Sequence, residues 1–219
     1  AYDEGDGTMR WEAKGINLGT TSRSIGGTVS NQGQWNLGIS YDELRHYSTD
    51  TYQTPFQGHL GSDTFILPPA FGIIDVVRNA NGTAVVAPAI APGTRALTAT
   101  QKSFFHEEEV YTQRQNTSFT AGYNFAPQWN AQFDYNHLHQ TGGKLISSAT
   151  EARFANGIQP PSPAGGGFYR GQGVIVLMNP TEYDTDTVNL ALNWTGDKAR
   201  VSASYFGSFF SDKNNGLTW

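Results

Sequence analysis

The sequence predicts an all-β fold, a transmembrane antiparallel up-and-down β-barrel, and two observations predict it. The first is a recurring unit: a short polar turn, a tryptophan at its edge, and alternation of apolar and polar residues on both sides. Gln34-Trp35-Asn36 opens one such strand and Gln128-Trp129-Asn130 another. From Trp35 the residues Trp35, Leu37, Ile39 and Tyr41 alternate with Asn36, Gly38, Ser40 and Asp42. From Trp129, the residues Ala131, Phe133 and Tyr135 alternate with Asn130, Gln132, Asp134 and Asn136. A period of two gives a strand one apolar and one wet face. An aromatic at the turn end of the apolar face is what a strand carries where it enters a bilayer. The second observation is an alternation of short turns with long connections, the loop asymmetry of outer-membrane barrels.

The elements follow in order. A strand is expected over residues 9–18, with its facing left open. The first hairpin pairs residues 23–31 with 34–46 around Asn31-Gln32-Gly33-Gln34. The second pairs 113–125 with 129–139 through Ala126-Pro127-Gln128, and sets Phe119, Ala121, Tyr123 and Phe125 on one face. The third pairs 181–194 with 199–211 around Thr195-Gly196-Asp197-Lys198, with Val188, Leu190, Leu192 and Trp194 sharing a face. Gly, Asn, Asp and Pro supply the tight reversals. A further strand is expected to start at Leu217-Thr218-Trp219. Residues 1–219 thus read as part of one barrel domain with about seven or eight strands visible. Long connections lie at about 47–112 and 140–180, both expected to be extracellular. The second holds Pro160-Pro161-Ser162-Pro163 and Gly165-Gly166-Gly167.

Composition narrows the class. With 219 residues, a net charge of −5 and scattered Lys and Arg, the chain lacks the basic stripe that nucleic acid requires. No apolar run approaches the roughly 18 residues of a membrane-spanning helix. A mean hydropathy of −0.45 still suits a barrel, whose strands span with about 9–11 residues and turn half of them inward. Zero cysteine removes disulfides, thiolate metal sites and covalent c-type haem attachment within this chain. A soluble β-sandwich would also alternate. It would not place Trp35, Trp129 and Trp194 all at the short-turn ends.

A more specific signal follows the first hairpin. Tyr41-Asp42-Glu43-Leu44 leads to Thr54-Pro55-Phe56-Gln57-Gly58 and then Phe65-Ile66-Leu67-Pro68-Pro69. Upstream stand Gly15-Ile16-Asn17-Leu18-Gly19 and Arg23, and near the end Ala203 to Phe210 and Asn214-Asn215-Gly216-Leu217-Thr218-Trp219. In order and spacing these elements resemble the MtrB/PioB family of outer-membrane β-barrels associated with multihaem (decahaem) c-type cytochromes. The resemblance implies a barrel that sheaths a periplasmic multihaem cytochrome and forms a conduit for electrons across the bacterial outer membrane. An extracellular multihaem cytochrome at the loops is a second implied partner. Haem is then expected on the cytochrome, and no cofactor, metal or catalytic residue in this chain. Family members often carry a paired-cysteine motif near the N-terminus, which this chain lacks, and have several times more strands. A segment of a longer protein is therefore expected.

On this reading the lumen-facing residues that meet the partner are Asn36, Ser40, Asp42, Ser118, Thr120, Asn130, Gln132, Asp134, Asn136, Asn189, Asn193, Arg200, Ser202 and Ser204. Trp35, Trp129 and Trp194 form a membrane-interface aromatic belt. A small, neutral lining can hydrogen-bond to a protein plug, whereas a selective solute channel concentrates charge at its constriction. A general solute porin is the alternative function, and a soluble β-sandwich binding module a further one.

Other candidates carry less. His106-Glu107-Glu108-Glu109 reads as a solvated run beside a long loop, since three successive carboxylates cannot converge from one strand. His137 and His139 share the otherwise apolar face near its outer end, with no third ligand in reach. His46 and His59 are isolated. Gly165-Gly166-Gly167 and Gly171-x-Gly173 lack the ending of a phosphate loop, and the glycan-type triplets at Asn81, Asn116 and Asn193 read as chance. No spacing joins a Ser nucleophile to a His base, so an outer-membrane hydrolase has no sequence support.

Overall fold

The computed structural model describes residues 2–3, 8–69, 77–78, 84–85, 99–150 and 173–219. The glycine and proline runs of the second long connection and the triplet at Asn81 lie outside the described residues.

Alternating residues extend the backbone, and each strand finds its hydrogen-bond partners in the next along the chain. In chain order the strands are β1 (Tyr2–Asp3), β2 (Met9–Ile16), β3 (Arg23–Asn31), β4 (Trp35–Thr54), β5 (Val77–Arg78) and β6 (Ala84–Val85). After the single helical turn α1 (Ala99–Lys102) come β7 (His106–Ala126), β8 (Trp129–Thr150), β9 (Gly173–Thr195) and β10 (Arg200–Asp212). All but β5 and β6 form one eight-stranded sheet, in the order β1-β2-β3-β4-β7-β8-β9-β10, and every neighbouring pair is antiparallel. This is the up-and-down meander the sequence predicts. The small strands β5 and β6 pair with each other.

The three short turns form as their residues require. At Gly33 the backbone takes φ 80°, and the amide of Gln34 donates to the carbonyl of Asn31 at 3.0 Å. Ala126 pairs directly with Trp129, and Gly196 N donates to Ala199 O at 2.9 Å. The Trp residues accordingly line up at one end: Trp129 stands opposite Trp194, and Trp35 opposite Tyr123 and Asn31.

The opposite ends run further than alternation marks. β4 reaches Thr54 rather than His46, and β7 begins at His106 rather than Gln113. β8 continues to Thr150, and β9 begins at Gly173. Two register shifts, between Tyr47 and Thr49 and between Thr49 and Tyr52, let β4 keep pairing with β7 through this extension. His106 to Glu109 therefore lie on a strand, correcting the loop expected there. Thr54 faces His106, and Gln53 Nε2 donates to Glu107 Oε1 at 3.1 Å.

Burial is concentrated in this upper region. Phe56, Phe65, Val110, Leu177 and Met178 form the buried cluster, with Tyr52, Leu60, Ile175 and Leu217 packed against it. The chain leaving β4 folds back over the strand tops. Thr54 is buried, and its Oγ1 accepts the Phe56 amide at 3.2 Å, while Gln57 and Ile66 exchange backbone hydrogen bonds. The segment after β10 arrives at the same place: Phe65 N donates to Thr218 O at 2.9 Å, and Thr218 N to Asp63 O at 2.8 Å. Thr218 thus makes an isolated parallel bridge with Thr64 and does not open a ninth strand of the sheet.

Lower down, the large apolar residues of the sheet stay uncovered. Ile39 is 61% exposed, Val201 59% and Leu190 46%. A sandwich would bury them under a second sheet. Among the described residues the only other sheet is the two-residue pair β5–β6. The sandwich alternative is therefore set aside in favour of the barrel.

Candidate functional site

The pairing registers sort every residue of the lower sheet onto one of two faces. One cross-strand row reads Arg10, Ser30, Asn36, Gly122, Gln132, Ala191, Ser204. The next on that face reads Glu12, Thr28, Gly38, Thr120, Asp134, Asn189, Phe206, followed by Lys14, Gly26, Ser40, Ser118, Asn136, Thr187, Ser208. Asp42 pairs with Ser24 and Asn116 one row further, while Asn124, Asn130, Asn193 and Ser202 line up nearest the turns. Arg200 begins β10 on the same side. All fourteen residues read from the sequence as lumen-facing fall on this one face.

They bond to one another along the rows. Asn130 Nδ2 donates to Asn124 Oδ1 at 2.8 Å, Asn193 Nδ2 to Asn130 Oδ1 at 3.4 Å, and Ser202 Oγ to Asn193 Oδ1 at 2.8 Å. Higher up, Asn189 Nδ2 donates to Asp134 Oδ2 at 3.0 Å and Asn136 Nδ2 to Ser118 Oγ at 2.8 Å. Such cross-strand pairs steady the sheet, each by about 0.2–1 kcal/mol. Gly26, Gly38, Ser40, Ser118 and Thr120 leave a shallow depression of about 280 Å³, bordered by Glu12 and Lys14.

Sequence reasoning missed part of this face. Arg10, Glu12 and Lys14 of β2 belong to it, and their alternation with Trp11 and Ala13 is the signal that could have placed them. Phe206 and Phe210 also project here, 68% and 64% exposed, and Phe210 packs against Tyr183 with ring centroids 5.5 Å apart.

The opposite face carries the apolar rows. Nearest the turns are Trp129, Trp194 and Val201; the first row to run from β4 to β10 is Trp35, Tyr123, Ala131, Leu192 and Ala203, and the second is Trp11, Val29, Leu37, Ala121, Phe133, Leu190 and Tyr205. The third row is Ala13, Gly27, Ile39, Phe119, Tyr135, Val188 and Gly207. Aromatics cluster at the turn edge: Phe125 stacks on Trp129 at 5.9 Å and on Tyr123 at 6.4 Å, and Trp194 Nε1 donates to Gln128 Oε1 at 3.2 Å. The three tryptophans read as a belt sit on this face, at this edge.

Beyond Tyr41 and Tyr135 the same face turns charged. Arg23 Nε donates to Glu43 Oε2 at 2.8 Å, and Glu43 also accepts from Gln113 and Gln115. Arg45 donates to Gln113 Oε1 and lies 4.3 Å from the Tyr111 ring centroid. On β8 and β9, His137 Nδ1 meets Asp186 Oδ1 at 2.8 Å, and His139 Nδ1 meets Asp184 Oδ1 at 2.5 Å. Lys213 adds contacts to Glu182 at 3.1 Å and Asp184 at 3.6 Å. The hydrogen bond to Glu182 raises the Lys213 ammonium. Among the described residues no cluster of His, Cys, Asp or Glu is arranged to hold a metal ion. His137 and His139 are each engaged by a cross-strand aspartate.

A one-layer antiparallel meander with one exposed apolar face and one polar face is the wall of a membrane barrel. A family model described as "Putative outer membrane beta-barrel porin, MtrB/PioB" matches residues 2–219. The chain belongs to the MtrB/PioB family. It is also similar to a protein named "Outer membrane protein MtrB" from Shewanella baltica (strain OS185), 22% identical over 215 residues. That match covers 98% of this chain and 25% of the relative, so the chain spans about a quarter of the relative's length. As an MtrB/PioB protein it is an outer-membrane β-barrel of a porin family rather than of an enzyme family. The open arc of eight strands fits one sector of such a wall.

Proposed function

We propose that this sector forms part of a sheath around a multihaem c-type cytochrome, in a conduit that carries electrons across the outer membrane. The apolar face meets lipid, with Trp35, Trp129 and Trp194 at the periplasmic interface, and the polar face lines the lumen. Family membership supports the barrel. The observation that carries the sheath reading is the lining: Asn, Ser and Asp side chains hydrogen-bonded along the rows, with Arg10, Lys14 and Arg200 equal in number to Glu12, Asp42 and Asp134. A polar cytochrome cannot stand in hydrocarbon. A balanced, hydrogen-bonding wall accommodates its surface without a strong field, and the depression at Gly26 and Gly38 allows close approach. The role is structural; haem belongs to the partner, and this chain has no cysteine to hold it covalently. The extensions above β4, β7, β8 and β9, with the connections they carry, are the extracellular rim, where a second cytochrome can dock.

A visible absorption spectrum of the full-length protein, purified from detergent-solubilised outer membranes, tests this. A Soret band co-eluting at fixed stoichiometry is expected. A colourless barrel that conducts ions in a planar bilayer would instead make it a general solute porin.

A further inference from the structure

The charged upper rows of the apolar face are unusual for a surface that faces lipid below. They continue without a break from the apolar rows: Phe119, Thr117, Gln115 and Gln113 rise in polarity along one face of β7, and Val188, Asp186, Asp184 and Glu182 do so along β9. Among the described residues no segment folds over to cover them, since the buried cluster lies higher, at Val110 and Leu177. Length makes the same point. β4, β7, β8 and β9 have 20, 21, 22 and 23 residues. At about 3.3 Å per residue and a tilt near 45°, they rise roughly 45–55 Å, well beyond a hydrocarbon core of about 30 Å. The strands must leave the bilayer partway up.

We propose that the collar centred on Arg23, Glu43, Gln115, His139, Asp184 and Lys213 is the seat of the phosphate-bearing headgroup layer of the leaflet opposite the short turns. The inference rests on the apolar face being the lipid face, and is independent of what fills the lumen. Continuity fixes the occupant: a surface contiguous with the hydrocarbon-facing rows, on the same side of the same strands, meets the polar layer of the same bilayer. Local geometry suits phosphate. Glu43 is buried and takes Arg23 through Nε at 2.8 Å, while the Arg23 side chain stays 46% exposed. Lys213 is likewise half exposed at the far side of the sheet. Glu43 thus acts as the internal anchor that holds a cationic fork toward the headgroups, and a guanidinium is well shaped for phosphate. The Asp184 and Asp186 carboxylates are engaged within the sheet by His139 and His137, and Glu182 by Lys213.

The test places single cysteines at Ala121, Thr117, Gln115 and Tyr111 of the full-length protein, with any cysteine elsewhere replaced, and labels each with a nitroxide. The barrel is reconstituted in phosphatidylethanolamine–phosphatidylglycerol vesicles containing a small fraction of nickel-chelating lipid. Relaxation by the headgroup-tethered nickel is expected to peak at Gln115, with oxygen collisions dominating at Ala121 and only soluble nickel chelate reaching Tyr111. A peak at or below Ala121, or oxygen dominance at Gln115, would overturn the assignment. Phosphate is tested separately. Moving the wild-type barrel into phosphate-free galactolipid vesicles is expected to lower its unfolding temperature, and the double variant R23Q/E43Q to lose most of that difference. An equal shift in both would remove phosphate as the ligand.

Discussion

The lower and upper halves of β4, β7, β8 and β9 share one hydrogen-bond ladder but answer to different surroundings. Below Tyr41 and Tyr135, side chains alternate strictly between an apolar face and a polar one, and almost nothing is buried. Above them alternation fades, yet this is where Phe65, Val110, Leu177 and Met178 reach 2% exposure or less. The lower half is held by lattice pairing and completed by lipid; the upper half makes its own core from a folded-back segment. Strand pairing alone is indifferent to which solvent lies beyond it, and the side chains decide where each regime begins.

The largest expected effect separates the halves directly. Phe65→Ala empties the centre of the upper cluster and should destabilise docking of residues 55–69 by about 3–5 kcal/mol, read as proteolytic cleavage in that segment with the barrel still inserted. Leu190→Arg does the reverse: it should hinder insertion by about 2–4 kcal/mol if near the midplane, measured by equilibrium folding into vesicles. Unimpaired insertion of that variant would break the assignment of faces.

The extension above the charged rows is next. Gly142 has φ 114°, and a Cβ there would run into the Tyr111 carbonyl. Gly142→Val should cost about 1–3 kcal/mol and loosen the pairing above it, seen as faster amide exchange in residues 143–148 than in 131–138. The smallest effect is in the charged rows. Asp184→Asn weakens the contacts with His139 at 2.5 Å and Lys213 at 3.6 Å, so amide exchange around residues 184 and 213 should quicken while that at Leu190 and Leu192 stays unchanged.

These contrasts explain what was legible from residues alone. The three hairpins, their turns and the fourteen polar-face residues could be read because period-2 alternation survives wherever one side is lipid. The strand extensions could not: Thr141-Gly142-Gly143-Lys144 has no apolar face, and the ladder continues there on backbone hydrogen bonds that leave no trace in side-chain pattern. The facing of β2 was open because Ala13 and Gly15 barely weight the apolar side. Tyr205-Phe206 and Phe209-Phe210 put aromatics on both faces of β10, which defeats a two-residue period. The charged collar was hidden for another reason. His137 and His139 looked like stray polar residues on an apolar face until register placed Asp186 and Asp184 opposite them.

The bridge between Thr64 and Thr218 joins the chain leaving β4 to the chain leaving β10. Those strands lie four steps apart, about 19 Å along the curved sheet. The link therefore acts as a strut across a bowed panel. A thin cylinder of strands is stiff along its length and soft against being squashed into an oval, because the hydrogen bonds tolerate changes in curvature. A strut at the rim resists that ovalling. The Thr-Pro-Phe element and Leu217-Thr218-Trp219 together brace the rim between the ends of β4 and β10.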